Sequence, residues 1–492
     1  MLEGLAGLWI PISDPFLILL IAAGTFSGIY VGAIPGLSVT MAVSLLISFT
    51  FSWDMFNALA LMTGVFAGGV YGGSRSAILL NIPGAPAAIA TSFDGYPLAK
   101  LGLAGETIGT ATIQSFLGGM MGLLIMVFAT PIMSQTALAF APRDYFLIAS
   151  MGLLLIGSLG GKAPLKGILM GLMGVILGLT GMDPFTGEGR FTFGSLALMG
   201  GIDYVVAMIG LFGVSEAISQ IELIGRPVIR QKLDGIIPLW SEIIRHVPLT
   251  LRASAIGAFI GALPGAGGDI AALLAYDHAR RTVKKPQRPF GEGAVEGVIA
   301  PEAANNAAVG GAFIPMLTLG IPGDSVTAVI LGALFIHGLR PGPLMMSEKP
   351  EIFWFFVSAL FLSNIFMLIF GLMGVRVFSR IVEIPKQWII PTILILSMIG
   401  AYAIRGRYLD LVLVVIFGVV GYALKQNGYP TGPVILGMIL GPMIDSNFRR
   451  AALSAGSLIG VLVEIFTNPI SLVLFTAIGL LLISGIRLGK RL

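Results

Sequence analysis

Long apolar segments with almost no charge follow one another along this chain, and they constrain its fold more than any other feature. They include Phe16 to Ile34, the shorter Ser195 to Phe212 and Leu411 to Leu424, and Leu472 to Ile486. Because a helix crosses a bilayer with about 20 mostly apolar residues, the whole chain suggests roughly 10–12 spans. The segments are continuously apolar rather than alternating, which argues against a β-barrel. The sequence therefore predicts an all-α polytopic protein embedded in a lipid bilayer.

The composition agrees with this prediction. Only 11% of the residues are charged, whereas a soluble domain has about a quarter. The 67 glycines and 28 prolines indicate closely packed and broken helices, since small residues let helix backbones approach. The absence of cysteine excludes disulfides and thiolate metal sites. The N-terminal MLEGLAGLWIPISDPF lacks the basic region of a secretory signal, so we expect the first retained span to begin at Phe16.

Charge divides the chain into two halves. The least apolar stretch, Gln220 to His246, contains several basic residues and two prolines. It predicts an extramembrane linker at 220–246 between a first half, 1–219, and a second half, 247–492. The basic loop His278 to Phe290 is expected to be cytoplasmic by the positive-inside rule, as is the C-terminal RLGKRL. The net charge is +4, with the basic residues concentrated in loops, and this asymmetry reports membrane topology rather than a nucleic-acid partner.

Each half contains two Pro-Gly breaks in the same order. GAIPG at 32–36 corresponds to GALPG at 261–265, and IPG at 82–84 corresponds to IPG at 321–323. Broken apolar segments at corresponding positions of two halves are the best sequence indication of a transporter binding site. The alternative is an old duplication whose breaks are only packing kinks. Since 49–56 holds only Asp54 where the second half has its basic loop, the halves are predicted to be inverted repeats.

The first polar motif is YGGSRSAILLNIPGAP at 71–86, in which Arg75 lies within an apolar segment. A charge at membrane depth is costly and suggests a function, and the planar guanidinium fork suits a carboxylate. The alternative is an arginine near a helix end that extends its side chain to the membrane surface.

The second motif, PEAANNAAVGGAFIPMLTLGIPG at 301–323, places Glu302, Asn305 and Asn306 within two helical turns before a break. Their spacing lets them share a helix face. Carboxylate and amide oxygens beside freed backbone carbonyls predict a site for a coupling Na⁺ or proton. The alternative is a set of polar contacts that hold helices together.

Helices that begin after the breaks would present free N–H groups and the positive end of the helix dipole to an anion. In the second half Asp269, which follows Gly265 and Gly267, is expected to cap such a helix, and Asp324 repeats the pattern. The predicted substrate-binding residues are Pro35, Gly36, Ser38, Thr40, Arg75, Asn81, Pro83, Gly84, Pro264, Gly265, Gly267, Pro322, Gly323, Asp324 and Ser325.

These motifs resemble the large membrane subunit, of the TctA type, of the tripartite tricarboxylate transporter family. The resemblance runs from about Gly24 to Pro442, through GAIPGLSVTMAVSLL, GALPGAGGDIAALLAY and the two motifs above. It implies a secondary carrier of the bacterial inner membrane that takes up carboxylates with Na⁺ or H⁺. It also implies two partners, a small four-helix membrane subunit and a periplasmic solute-binding protein. Arg75 departs from the family pattern, in which a small or apolar residue is expected after YGGS.

Two other functional classes are weighed against this reading. A membrane-embedded enzyme would need catalytic motifs, but His246, His278 and His337 are scattered and there is no HExxH. A channel for small anions would need only a pore, and broken helices occur in channels as well. We expect a carrier with no enzymatic activity and no cofactor, with Na⁺ at most as the coupling ion.

Overall fold

The computed structural model describes residues 2–34, 37–81, 83–159, 164–221, 238, 240–374 and 386–489. Helices dominate these residues, which confirms the predicted all-α membrane fold. The helices of the first half are α1 (Ala6–Ser13), α2 (Pro15–Ala33), α3 (Val39–Thr50), α4 (Met55–Leu80), α5 (Ala88–Leu98), α6 (Ala104–Ala137), α7 (Pro142–Leu159), α8 (Pro164–Gly178), α9 (Leu196–Met199), α10 (Tyr204–Met208) and α11 (Ser215–Ile221). Those of the second half are α12 (Trp240–Gly261), α13 (Gly267–Thr282), α14 (Glu296–Leu319), α15 (Ser325–Ile336), α16 (Met345–Glu348), α17 (Pro350–Met373), α18 (Lys386–Arg405), α19 (Tyr408–Gln426), α20 (Gly432–Ser454), α21 (Leu458–Thr467) and α22 (Pro469–Gly489).

Fewer helices than predicted are long enough to span a membrane. Among the described residues seven qualify by length and apolarity, or eight if the bent pair α20–α21 counts as one span. The breaks divide other apolar segments into helices that are too short to cross alone, such as α3 and α15. The span predicted at Ser195 to Phe212 is misplaced, because the long apolar helical segment runs from Tyr204 to Ile221. Gly201 in a left-handed conformation ends the short α9, and the Asp203 carboxylate caps α10.

In the first half, α2 and α3 form a hairpin against α4. The α2 glycines Gly24, Gly28 and Gly32 lie against the backbone of successive turns of α4, so α2 and α4 run parallel. Val39, at the start of α3, lies against Gly69 in the later part of α4, and a short turn joins the end of α3 to the start of α4. The tip of this hairpin therefore reaches deep along α4, while its open end lies beside the first turn of α4.

The second half repeats this course. Gly257 and Gly261 of α12 lie against Ala304 and Ala308 of α14, so these two helices are also parallel. Helix α13 returns from the tip, where Gly268 touches Asn305, to the basic loop that precedes α14. The hairpin α12–α13 therefore opens toward the loop His278 to Phe290.

At the centre of the molecule, α4 and α14 cross in opposite directions. Ser74 meets Glu302, the Val70 carbonyl meets Asn305, and the ring of Phe66 lies 6.0 Å from that of Phe313. As the residue number falls along α4, it rises along α14, so the two helices are antiparallel. The hairpins that lie parallel to them consequently open toward opposite ends of the molecule.

Two more long helices complete this central group. Helix α6 runs parallel to α14, because Gly118 lies against Ala303 and Gly122 against Ala307. Helix α17 runs parallel to α4, with Phe355 beside Phe56 and Gly371 beside Arg75. The four helices α4, α6, α14 and α17 thus form the central group of the molecule.

The remaining helices pack outside this group. Gly174 of α8 lies against Val434 of α20, and Gly210, between α10 and α11, lies against α19. The strands β1 (Gly181–Met182) and β2 (Gly189–Arg190) form a small antiparallel hairpin. Arg190 joins Asp183 at 2.6 Å and Asp445 of α20 at 2.9 Å. These ion pairs attach the β1–β2 hairpin of the first half to α20 of the second half.

Candidate functional site

The breaks bring the N-termini of four helices together. The hydroxyl groups of Thr40 in α3 and Ser325 in α15 are hydrogen-bonded at 3.0 Å. The N–H of Gly265 donates to the Gly323 carbonyl at 2.8 Å, which joins the tip of the α12–α13 hairpin to the break before α15. The Asp269 carboxylate of α13 lies near the backbone N–H of Ala87, at the start of α5, and near Asp324. A continuous series of contacts therefore connects α3, α15, α13 and α5.

Side chains cap two of these four N-termini. Ser38 accepts a hydrogen bond from the Met41 N–H at 3.0 Å, and Asp324 accepts one from the Thr327 N–H at 2.7 Å. The predicted capping role of Asp324 is confirmed as a capping box. The capping role expected of Asp269 is wrong, because α13 begins at Gly267 and Asp269 lies within its first turn. Neither α5 nor α13 has a side-chain cap of its own. The N–H groups of Ala88 and Ile89 at the start of α5 already donate to the Ala85 and Pro86 carbonyls, so the start of α13 is the one better suited to an anion.

The break residues hold the chain close to the neighbouring hairpin. A Cβ on Gly84 would collide with the Gly32 carbonyl, and one on Gly323 would collide with the Gly261 carbonyl. Asn81 ends α4 in the left-handed conformation, with φ 54°, and is exposed. Pro83 is partly buried, whereas Pro264 and Pro322 are buried. The predicted residues Pro35 and Gly36 lie outside the described residues, as does most of the predicted linker; its last residues, from Trp240, begin α12.

Glu302 lies in a ring of hydroxyl groups. Its side chain is fully buried and accepts hydrogen bonds from Ser74 at 2.6 Å, Thr91 at 2.5 Å and Ser115 at 2.8 Å. These donors come from α4, α5 and α6, so four helices contribute to one buried cluster. Apart from Glu302 itself, none of these residues was identified as a site residue from the sequence. Ser74 lies in the motif at 71–86, but only the packing of α4, α5 and α6 shows that these three hydroxyl groups meet Glu302.

The hydroxyl ring around Glu302 has the composition of a cation site. Two carboxylate oxygens and three hydroxyl oxygens converge, and oxygen ligands are those that hard cations prefer. Among the residues that the structure describes, no basic side chain forms an ion pair with Glu302. A carboxylate at membrane depth is costly unless a proton or a cation neutralises it. The geometry therefore suits reversible occupation by one positive charge.

The two asparagines predicted to share this site point in different directions. The Asn305 amide donates to the Val70 carbonyl at 3.3 Å, and its oxygen lies against Gly268 at the hairpin tip. The Asn306 amide donates to the Glu302 carbonyl at 3.1 Å, one turn back along α14. Neither amide forms a hydrogen bond to the Glu302 carboxylate. The three residues are therefore separate polar groups along α14 and do not form one cluster.

Arg75 is buried against the end of α17. One guanidinium nitrogen donates to the Gly371 carbonyl at 2.5 Å, and Nε donates to the Tyr71 hydroxyl at 3.1 Å. The guanidinium also lies 5.2 Å from the centre of the Tyr71 ring. A cation at a helix C-terminus stabilises the helix dipole and its unpaired carbonyls. These contacts give Arg75 a role in fixing α17 to α4; its predicted role in substrate binding stays a prediction.

Asp94 is a second buried acid, and it was missed in the sequence. Its carboxylate accepts from the Tyr276 hydroxyl at 2.8 Å and from the backbone N–H groups of Gly291, Gly293 and Ala294 at 2.8–2.9 Å. It joins α5 of the first half to the loop before α14. An acid within an apolar helix is itself an indication of importance and could have drawn attention to SFDGYPLAK.

A cavity lies beside the α2–α3 hairpin. It has a volume of about 410 Å³ and is lined by α2, α3 and α18, through residues such as Val31, Leu45 and Leu396. Because its lining is almost wholly apolar, it does not offer the polar groups that a carboxylate requires.

Three features of the structure indicate a class of protein. The two hairpins open toward opposite ends of the molecule, the broken helices meet inside it, and the buried Glu302 has no basic partner among the described residues. These are features of membrane transporters, in which discontinuous helices form the binding site. The chain belongs to the tripartite tricarboxylate transporter TctA family, whose model matches residues 18–436. The resemblance seen in the sequence motifs is thereby confirmed.

Two relatives from Agrobacterium vitis support this assignment. The chain is 34% identical over 460 residues to an uncharacterized 52.8 kDa protein in the TAR-I ttuC′ 3′ region, covering 93% of this chain and 90% of the relative. It is 36% identical over 215 residues to an uncharacterized protein in the TAR-II ttuC′ 3′ region, covering 44% of this chain and 87% of that relative. No solved structure matches the chain.

Proposed function

We propose that this chain is the large membrane subunit of a system that takes up a di- or tricarboxylate together with Na⁺ or H⁺. The observation that carries the proposal is the Glu302 carboxylate, which is fully buried among three hydroxyl groups and has no basic partner in the described residues. Binding of a cation would neutralise this buried charge, so occupancy of the site and the conformation of the surrounding helices would depend on each other.

The substrate site in this proposal is the meeting point of the four N-termini. The uncapped start of α13 offers backbone N–H groups to a carboxylate. The hydroxyl groups of Thr40 and Ser325 lie beside them. Asp269 and Asp324 also lie there, and their charge opposes an anion. A bound cation or proton would reduce this repulsion, which supports coupled rather than independent binding.

The two halves act in this proposal as inverted repeats. The antiparallel crossing of α4 and α14, together with the two hairpins that open to opposite ends, supports this relation. Such an arrangement allows the site to be exposed alternately to the two sides of a membrane. If the basic loop His278 to Phe290 is cytoplasmic, the α2–α3 hairpin opens to the periplasm of a bacterial inner membrane.

The partners follow from the family. A tripartite transporter has other subunits, and we propose a small four-helix membrane subunit and a periplasmic solute-binding protein that delivers the carboxylate.

The test is uptake in proteoliposomes that contain this chain and its partner subunits. Labelled di- and tricarboxylates are screened with a Na⁺ gradient, with a pH gradient and with neither. The proposal predicts saturable uptake that depends on one of the two gradients. Conductance without saturation would instead support a channel for small anions, and carboxylate uptake independent of both gradients would contradict cation coupling.

A further inference from the structure

Helix α5 is a short helix that lies between two bends of the chain. It follows the break after Asn81, which ends α4 with φ 54°, and it leads into a bend at Gly102, where φ is 84°. A Cβ on Gly102 would meet no atom of the described residues within 4 Å. On the outer face of α5, Ile89 and Phe93 are exposed. A helix with a bend at each end and one exposed face can change its position as a unit.

The Asp94 carboxylate holds α5 to the second half. It is fully buried and accepts four hydrogen bonds, three of them from backbone N–H groups before α14 and one from the Tyr276 hydroxyl. Gly291 and Gly293 have φ of 90° and 104°, which glycine adopts at no steric cost, and this backbone directs the N–H groups toward one oxygen. A Cβ on Gly297 would collide with the other oxygen. Because all four bonds end on one carboxylate, they would be lost together.

Helices α5 and α13 run side by side in the same direction. At one end Ala87 lies near Asp269, where the N-termini meet, and at the other end Asp94 binds Tyr276, near the basic loop. Between these ends lie small side chains such as Ala272. Alanine buries little apolar surface, so this part of the contact is weak. Separation of the two helices at the basic-loop end would open a path to the N-termini.

Thr91 connects α5 to the hydroxyl ring around Glu302. It lies about one turn before Asp94 and donates to the Glu302 carboxylate at 2.5 Å. A hydrogen bond to a charged carboxylate is stronger than one to a neutral group. A proton or cation that neutralises Glu302 therefore weakens this attachment of α5, so the charge of Glu302 and the position of α5 depend on each other.

We propose that α5 is a gate on the basic-loop side of the substrate site, held closed by Asp94 and by the ionised Glu302. The inference rests on the proposed function, because it adds a means by which occupancy of the cation site controls access to the substrate site. A carrier without its coupling ion keeps the gate closed, and a carrier that has bound the ion opens it more readily. The corresponding helix of the second half, α15, has Ala333 in place of Asp94 and cannot form these bonds.

The test measures how fast the thiol of Ala272→Cys reacts with a membrane-impermeant methanethiosulfonate reagent. The chain has no cysteine of its own, and Ala272 is fully buried in the contact with α5. With the gate closed, the reaction should be slow. Adding Asp94→Ala should raise its rate by about tenfold or more in vesicles that expose the basic loop. In vesicles of the opposite orientation the rate should stay the same.

A milder variant covers the case in which Asp94→Ala does not fold. Tyr276→Phe removes one of the four hydrogen bonds, keeps the aromatic ring and should raise the labelling rate about threefold. The matched control is Asp277→Asn, since Asp277 is the neighbouring acid on α13 and forms an exposed ion pair with Arg281. This control should leave the rate unchanged, and the melting temperature of each variant shows whether it is folded.

Two further variants test the connection to the cation site. Thr91→Val removes the hydroxyl donor, and Glu302→Gln removes the charge of its acceptor. Each should raise the labelling rate of Ala272→Cys about threefold. Because both changes act on one hydrogen bond, the double variant should be labelled no faster than either single variant. A double variant whose rate is the product of the two single effects would contradict coupling through Thr91.

Three results separate the gate from the proposed function. Labelling that is unchanged in folded Asp94→Ala and Tyr276→Phe would overturn the gate, even where carboxylate uptake is saturable and coupled to an ion gradient. Faster labelling from the side opposite the basic loop would also overturn it. Faster labelling from the basic-loop side, in a protein with no saturable carboxylate uptake, would support the gate and contradict the proposed function.

Discussion

The α2–α3–α4 unit of the first half and the α12–α13–α14 unit of the second follow the same course but have different side chains. In both units two helices form a hairpin against a third, which ends in a left-handed residue, Asn81 in α4 and Gly320 in α14. Counting back from the prolines of the second breaks, Glu302 in α14 corresponds to Thr63 in α4. Likewise Ser74 in α4 corresponds to Phe313 in α14.

Because α4 and α14 cross in opposite directions, side chains at non-corresponding positions of the two units contact each other. Where α4 is polar at Ser74 it meets Glu302, and where it is aromatic at Phe66 it meets Phe313. One end of the crossing is therefore a hydroxyl-lined acid and the other a packed aromatic pair. The two units therefore share a backbone course that ends in a break. Of the two corresponding positions, only Glu302 in the second unit carries the charge that would bind a cation.

The largest expected effect comes from the position at which the two units differ most. Glu302→Gln keeps the shape of the side chain but removes its charge, and it should lower coupled uptake by about 100-fold, as expected for loss of a buried charged hydrogen-bonding group. Thr63→Val at the corresponding position of α4 removes a hydroxyl that has no hydrogen-bond partner in the described part of the chain. Its uptake should stay near wild type. Equal losses of uptake in both variants would contradict the expectation that only the position in α14 binds the cation.

The next effect tests what the two units share. Gly84→Ala and Gly323→Ala would each force a methyl group into a neighbouring backbone carbonyl. Overpacking of this kind costs about 1–3 kcal/mol, and both variants should lower the melting temperature in nanodiscs by similar amounts. Gly342→Ala, whose Cβ would meet nothing within 4 Å, is the control. A large loss for only one of the two break glycines would show that the breaks are not equivalent.

Arg75 has no counterpart in the second unit, where Ile314 occupies the corresponding position. Arg75→Ala would leave the buried Gly371 carbonyl without its donor, at a cost of about 1–3 kcal/mol. We expect a lower melting temperature, partly restored in Arg75→Lys, with the KM for carboxylate unchanged. A higher KM with an unchanged melting temperature would instead favour the substrate-anchoring role predicted from the sequence.

The smallest effect concerns the β1–β2 hairpin, which the second half lacks in the described residues. The Phe185 backbone N–H, with help from Thr186 and Arg190, lowers the pKa of Asp183 from the ordinary 3.8 to about 2. A lowered pKa means that the ionised carboxylate stabilises the fold above about pH 4 and that this contribution is lost as the pH falls through about 2.

Asp183→Asn should therefore lower the melting temperature slightly at pH 7 and less as the pH approaches 2. Glu188→Gln, an exposed position in the same hairpin, is the control and should show no such dependence. A deficit for Asp183→Asn that stays constant with pH would mean that the ionised form of the Asp183 carboxylate does not stabilise the fold.

The sequence predicted those features that depend on local patterns. Apolar length and continuity predicted a helical membrane protein, and the Pro-Gly pairs marked the positions at which helices end and restart. The Asp324 cap could be predicted because an acid before a helix pairs with a hydroxyl three residues later. The polar run from Glu302 to Asn306 was likewise visible as a local concentration of polar residues in an apolar segment.

The residues that were missed depend on contacts between distant segments. Ser74, Thr91 and Ser115 are ordinary small polar residues of three helices, and only the packing brings them to Glu302. The position of Arg75 against the end of α17 also follows from tertiary packing, which a motif of neighbouring residues does not contain.

The opposed orientation of the two units is most directly tested by labelling single cysteines, since the chain contains none of its own. Ser52→Cys and Lys285→Cys place exposed thiols in the loops at the open ends of the α2–α3 and α12–α13 hairpins. With a membrane-impermeant reagent, we expect Ser52→Cys to be labelled in right-side-out vesicles and Lys285→Cys only in inside-out vesicles. Labelling of both thiols from the same side would contradict the inverted arrangement.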